Sequence, residues 1–196
     1  MKRLIFGIAL SASLVAPALA ALKGGDAAPG FSLQAALAGK QFTYALQDAL
    51  KHGPVVVYFY PSAYTGGCNI QAHTFAINQD KFTAAGATII GVSLDSIARL
   101  TDFSADPQYC AGKIPVASDV GGKTAKAYEL KVSAGGPGMT DSRGAPIDHD
   151  FAERTTFIVT PDGKIATVIG GVSPPENVQK ALEVVQHLGS GKKPSA

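Results

Sequence analysis

Cysteine is scarce in this sequence: Cys68 and Cys110 are the only two in 196 residues. Two thiols cannot build a multi-bridge framework, so the fold must rest on a hydrophobic core, which a chain of this length can bury. Charge is scarce as well, at 16% of residues, and it is nearly balanced at a formal +2. A nucleic-acid binder needs a concentrated basic face, and here Lys and Arg are scattered apart from the tail "GKKPSA". A hydrophobic content of 46% is that of a globular chain and excludes a disordered one. The sequence has no internal repeat and no metal-binding motif, and after the first twenty residues no run is long and apolar enough to span a membrane.

Those first twenty residues differ from the rest. Lys2 and Arg3 precede the apolar run "LIFGIALSASLVA", and "APALA" then places Ala18 and Ala20 at an A-x-A cleavage site. Order and composition are those of a secretory signal peptide over residues 1–20, the other reading being an uncleaved anchor. Residues 21–196 are then expected as an exported protein without a membrane span. The leader alone does not separate periplasm from full secretion, and the periplasm is the expected address. Export also bears on the cysteines, because in an oxidising compartment a pair of them is commonly a structural disulfide.

The mature chain alternates strand and helix patterns. "GDAAPGFSLQAALAGKQFTYAL" reads as two short strands around a turn at Gly39-Lys40, and "QDALKHG" as a short helix. "PVVVYFY" is a buried central strand. "CNIQAHTFAINQDKFTAAG" is a helix carrying Ile70, Phe75, Ile77 and Phe82, closed by Gly86. "ATIIGVSLD" is a second buried strand, and a helix follows from Ser96 as N-cap. "IPVASD" is a short strand and "GKTAKAYEL" a short helix. "SAGGPGMTDSRGAPIDHDFAE" has many turn formers and no period, which makes it a long loop. "RTTFIVTPDGKIATVIGG" gives a hairpin, and "SPPENVQKALEVVQHLG" a final helix with Val178, Leu182 and Val185 on one face. This is one α/β domain over residues 21–188: a mixed central sheet, helices on both faces and an N-terminal β-hairpin. Residues 189–196 form a frayed tail.

The stretch "YPSAYTGGCN", residues 60–69, carries the chemistry. A buried strand ends at Tyr60 and a helix begins near Cys68, so the thiol stands at a helix N-terminus. There the free N–H groups and the helix dipole stabilise an anion, and the thiolate is the nucleophilic form of cysteine. Gly66 and Gly67 let the backbone approach a small substrate closely. Thr65 adds a hydroxyl that can both donate and accept, and Pro61 stiffens the turn with a surface lacking an N–H.

The spacing Pro61, three residues, Thr65, two residues, Cys68 resembles the active-site pattern of the peroxiredoxins. "GPVVVYFYP", "AGATIIGVSLDS" and "ERTTFIVTPDGKIATVI" resemble the family's strands before and after the site and its late hairpin, where Arg154 matches its arginine. The resemblance runs from about Asp26 to Leu188 and is nearest to the peroxiredoxin Q class, the bacterioferritin-comigratory proteins. It implies a thioredoxin-like fold and a thiol peroxidase reducing hydrogen peroxide or organic hydroperoxides, with no metal or organic cofactor. Cys68 would attack the peroxide and become a sulfenic acid. Thr65 would hydrogen-bond the peroxide, Pro61 shield the sulfur and Arg154 supply a fixed positive charge, with Gly66 and Gly67 at the substrate pocket. The reductant would be a thioredoxin-like protein or a small thiol, and the assembly a monomer or homodimer. Two rivals share the fold. One is a thiol–disulfide oxidoreductase, which uses C-x-x-C where this chain has Thr65. The other is a redox sensor or holdase without turnover.

Two positions depart from the class. His73 stands where many members carry a resolving cysteine, and Gln71 where glutamate is common. Cys110, in "DPQYCAGK", then has three readings: the resolving thiol, a bystander in a one-cysteine enzyme, or a permanent structural partner of Cys68. Of the other candidates, His52 and His187 read as helix-end residues, His73 as turned away from Cys68, and His149 as part of a solvated loop. Tyr58 and Tyr60 read as strand packing, and Tyr64 as a residue lining the pocket.

Overall fold

The computed structural model describes residues 22–190; the signal peptide expected over residues 1–20 and the part of the expected tail beyond Ser190 lie outside them. The expected hairpin is β1 (Ser32–Leu37) and β2 (Lys40–Ala45), antiparallel in register from Ser32↔Ala45 to Leu37↔Lys40. Its turn residues Ala38 and Gly39 both have positive φ, at 49° and 76°. That geometry twists a two-residue turn the way the strands twist. The short helix α1 (Leu46–Leu50) follows.

Two parallel crossovers make the centre. Strand β3 (Val55–Phe59) leads through α2 (Gly66–Ala84) to β4 (Thr88–Ser93), and β4 through α3 (Ile97–Ala105) to β5 (Val116–Ser118). Helix α4 (Lys123–Ala127) comes next, then β8 (Thr155–Val159) and β9 (Ile165–Gly170) as the late hairpin, and α5 (Pro174–Gly189). The sheet order is β2-β1-β5-β4-β3-β8-β9. The long loop is tied at its root by two-residue strands, β6 (Val132–Ser133) pairing antiparallel with β7 (Phe151–Ala152). Helix α5 takes in Gly189, so the regular structure reaches one residue into the expected tail. No helix among the described residues is long and apolar enough to cross a membrane.

The period-two rule of a strand distributes the core. Val55, Val57 and Phe59 of β3 join Leu46, Leu50, Ala125 and Tyr128 on the α1/α4 face. Val56 and Tyr58 join Phe75, Phe82, Phe103, Val178 and Leu182 on the face covered by α2, α3 and α5. Each face is sealed by helices, which is why β3 is apolar at every position.

Helix α2 divides the four apolar residues read from the sequence between two faces. Its inward stripe is Cys68, Gln71, Ala72, Phe75, Ala76 and Phe82. Ile70 and Ile77 are 50% and 63% exposed. The two isoleucines are seven residues apart and share one stripe, but the small residues Cys68, Ala72 and Ala76 let the helix pack close to the sheet. Of the four large apolar residues read from the sequence, Phe75 and Phe82 face the core, while Ile70 and Ile77 stand outside it.

Candidate active site

Helix α2 starts at Gly66, two residues before the sequence-based estimate, with Thr65 as N-cap in extended conformation. Cys68 is thus the third helical residue, inside the first turn. Thr65 makes no side-chain cap; its Oγ1 donates instead to the Ser62 carbonyl at 2.8 Å. Asn69 N–H is the first to bond back, to the Thr65 carbonyl at 2.8 Å. The helix-start N–H groups of Gly66, Gly67 and Cys68 are thereby left uncapped beside the sulfur, the arrangement that favours an anion.

Cys68 is buried, at 2% exposure. Arg154, the residue before β8, donates from Nη2 to Cys68 Sγ at 3.3 Å. Its Nη1 donates to Gln71 Oε1, one turn further along α2. Gln71 Nε2 in turn donates to Asn177 Oδ1 of α5 at 3.0 Å, and Thr156 Oγ1 donates to the same oxygen at 2.6 Å. Asn177 Nδ2 donates to the Ile169 carbonyl at 3.1 Å. The amides of Asn177 and Gln71 are thus fixed in turn, and the guanidinium is aimed at the sulfur. Because residues 154, 156 and 158 share strand parity, Arg154 falls on the face that α2 covers.

Gly67 makes this contact feasible. A Cβ there would lie 3.1 Å from Arg154 Nη2 and 3.5 Å from Pro174 Cγ at the start of α5. Gly66 is exposed with open space around it. Pro61 is half-buried at the entry to the loop.

The loop from Ser62 to Thr65 is held from a second side that the sequence did not reveal. Asp95, fully buried in the turn after β4, accepts from Ser62 Oγ at 3.0 Å, Ala63 N–H at 2.8 Å and Ser93 Oγ at 2.7 Å. Arg99 of α3 places Nε 2.9 Å from Asp95 Oδ1 as an ion pair. Its Nη2 donates to the Ala63 carbonyl at 3.0 Å and to Asp141 Oδ2 at 2.8 Å. Tyr64 has a positive φ of 61°, unusual for a bulky residue. The long loop pins it there: Ser142 donates to the Tyr64 carbonyl from N–H at 2.9 Å and Oγ at 2.8 Å, and Arg143 lies over its ring at 3.2 Å.

Two expectations change accordingly. Tyr64 is a core residue, 1% exposed, packed edge-on against Phe103 and Tyr109. His149 is not solvated: its side chain is 14% exposed and its Nε2 stands 2.8 Å from Asp95 Oδ1. An ion pair across 54 residues leaves no mark in local sequence. His52, His73 and His187 are exposed, as read.

Cys110 is wholly buried, and both cysteines are free thiols. It sits in the same apolar cluster as Cys68, Tyr58, Tyr60 and Phe103. Burial, with a smaller push from Asp106, drives its thiol well up, so it stays protonated at neutral pH. The segment around Cys110 is a bonded turn: Ala111 N–H reaches the Asp106 carbonyl at 2.9 Å and Gly112 N–H the Ser104 carbonyl at 3.0 Å. Tyr58 and Tyr60 stack at 5.4 Å in the core, as expected of strand packing. Burial pushes the Tyr58 phenol well up.

The chain is similar to known proteins in sequence and in fold. The AhpC/TSA family model matches residues 24–168. The chloroplastic peroxiredoxin Q of Oryza sativa subsp. japonica is 31% identical over 169 residues, covering 84% of this chain and 67% of the relative. Peroxiredoxin Bcp of Escherichia coli is 31% identical over 147 residues, covering 75% and 85%. Among solved structures, peroxidoxin BcpB of Mycobacterium tuberculosis superposes with a TM-score of 0.71 at 27% identity, covering 85% of this chain and 98% of that one. Peroxiredoxin Q of Xanthomonas campestris superposes with a TM-score of 0.63 at 26% identity, covering 80% and 91%. The chain therefore belongs to the AhpC/TSA family and, within it, to the peroxiredoxins, the thiol-dependent peroxidases.

Proposed function

We propose that this peroxiredoxin is an exported enzyme that reduces hydrogen peroxide and organic hydroperoxides at Cys68. The observation that carries the reading is the 3.3 Å contact between Arg154 Nη2 and Cys68 Sγ at an uncapped helix start. A guanidinium and free N–H groups there stabilise both the thiolate and the charge that grows on the peroxide oxygens.

In the proposed step the Cys68 sulfur attacks one peroxide oxygen. An S–O bond forms and the O–O bond breaks; sulfur gives up two electrons, and the leaving oxygen departs as hydroxide or alkoxide and takes a proton. The Thr65 hydroxyl has already committed its hydrogen to the Ser62 carbonyl, so its lone pairs are free to accept from the O–H of the hydroperoxide. Pro61 at the loop entry shields the sulfur from water. A thiol reductant then converts the sulfenic acid to a disulfide with loss of water, and a second thiol regenerates Cys68.

Cys110 is the only internal candidate for that first thiol. To act, it must leave the core and ionise, which requires the turn from Asp106 to Gly112 to open. The alternative is an external thiolate reaching Cys68 directly.

Consumption of hydroperoxide at steady state, with a thiol in excess, tests the activity. Turnover by the wild type and none by Cys68→Ser is expected; undiminished turnover by the variant overturns the reading. Export is tested by N-terminal sequencing of protein from the exporting host, where Ala21 is expected first and a retained Met1 contradicts it.

A further inference from the structure

The two ring nitrogens of His149 both face acceptors. Nε2 stands 2.8 Å from the Asp95 carboxylate, and Nδ1 stands 2.7 Å from the Asp150 carbonyl. A neutral imidazole carries a single N–H. Either neutral tautomer would therefore point a lone pair at an oxygen, one of them charged. Only the imidazolium satisfies both contacts. Ser62 Oγ, 3.3 Å from Nε2, completes the surroundings.

The charged and titratable groups around the ring are few. Asp95 faces it from the turn after β4, and Arg99 approaches from α3. Asp141 and Arg143, on the ring's own loop, connect to it through Arg99. Asp148 and Asp150 flank it in sequence. Burial works against a charge on the ring, but the hydrogen bonds to Asp95 and to the Asp150 carbonyl outweigh it and hold the ring's pKa above the usual histidine range; Arg99 opposes weakly. Asp95 mirrors this: burial alone would raise its carboxyl, and His149, the Ala63 N–H and Ser93 together hold it below the usual carboxylate range.

The pair leads directly to the reacting groups. Asp95 holds Ser62 Oγ and Ala63 N–H, and the Ser62 carbonyl receives the Thr65 hydroxyl one residue before the helix that carries Cys68. We propose that His149 and Asp95 are positioning residues for peroxide reduction, a clamp between the long loop and the Ser62–Thr65 segment that is tight with the imidazolium and slack with the imidazole. The folded-state pKa of His149 is raised, so the clamp is complete below the ordinary value of about 6.5 and is lost as pH rises through the raised one.

Two measurements on the full mature chain test this. The first reads the ring itself: a proton–carbon NMR titration of the wild type, with the His149 signal assigned by its loss in His149→Gln. A midpoint above about 6.5 is expected, and a midpoint at or below that value overturns the clamp. This arm uses no peroxide, so it stands or falls apart from the thiol-peroxidase reading. The second arm rests on that reading. The rate of Cys68 oxidation by hydrogen peroxide is followed in a single turnover from about pH 5.5 to 9 for wild type and His149→Gln. The wild type is expected to be faster by roughly tenfold at the acid end, with the ratio falling towards one above the ring's midpoint. A ratio that is constant across pH, as a purely structural defect gives, or a ratio of one throughout, overturns the proposal. Should His149→Gln fail to fold, the same signal is identified in the wild type by its through-space contact with Phe151, whose ring centroid lies 5.8 Å away.

Discussion

Cys68 and Arg154 are 86 residues apart in sequence, and Nη2 of the arginine donates to the sulfur at 3.3 Å. Nη1 of the same guanidinium donates to Gln71, so one planar fork bridges two residues of the first turns of α2. Replacing Arg154 with Met is expected to slow Cys68 oxidation by roughly ten- to a thousandfold, the cost of one preorganised donor. Arg154→Lys should restore little of it, because a single ammonium cannot serve Gln71 and the sulfur together. Stopped-flow oxidation checks this; a lysine variant at wild-type speed contradicts the fork.

Gly67 separates activity from stability. Alanine is a better helix residue than glycine by about 0.5–1 kcal/mol, yet its Cβ would lie 3.1 Å from Arg154 Nη2. Gly67→Ala is therefore expected to leave the melting temperature unchanged or raised while oxidation of Cys68 slows several-fold. A variant that melts higher and reacts at the wild-type rate shows that the guanidinium can move aside without consequence.

The neutral amide of Gln71 leaves the Arg154 charge uncompensated beside the sulfur. Gln71→Glu places a carboxylate on that guanidinium, and its oxygens can no longer donate to Asn177. Alkylation of Cys68 by iodoacetamide near neutral pH is expected to slow several-fold relative to wild type. Equal rates contradict the role assigned to the free charge.

The nucleophilic loop was legible in the sequence because its parts are local: Pro61, Thr65, two glycines and Cys68 fall within eight consecutive positions. The apolar run of β3 and the alternation of strands and helices carried the architecture for the same reason. Arg154 came from the family resemblance, and strand parity accounts for its direction once β8 is set beside β3. Helix α2 was legible in part: Phe75 and Phe82 face inward, but the rest of the inward stripe is Cys68, Gln71, Ala72 and Ala76 rather than Ile70 and Ile77. Asp95, Arg99, Asp141 and His149 were missed because each is an ordinary charged residue in its own segment. Their meaning arises only when the long loop folds over the turn after β4.

The part of Cys110 in resolving a sulfenic acid on Cys68 can be read by mass. Its thiol is buried and protonated, and the turn around it is closed by backbone hydrogen bonds. If it resolves, wild-type protein given one equivalent of peroxide should lose two hydrogen atoms in mass, and a non-reduced digest should contain a Cys68–Cys110 peptide. Cys110→Ser should keep the first oxidation and over-oxidise sooner in excess peroxide, since a waiting sulfenic acid climbs to sulfinic acid. A wild type that stably gains one oxygen, or a serine variant that turns over equally well, assigns resolution to an external thiol.

The most direct test of Cys68 as the reacting atom is the intact mass of the Cys110→Ser protein after one equivalent of hydrogen peroxide, followed by peptide mapping. With the second thiol removed, the first product has no internal partner and is trapped as formed. We expect a protein heavier by one oxygen atom, with that oxygen on the peptide containing Cys68. An unchanged mass, or an oxygen found on a methionine with Cys68 still a thiol, contradicts peroxide reduction at this site.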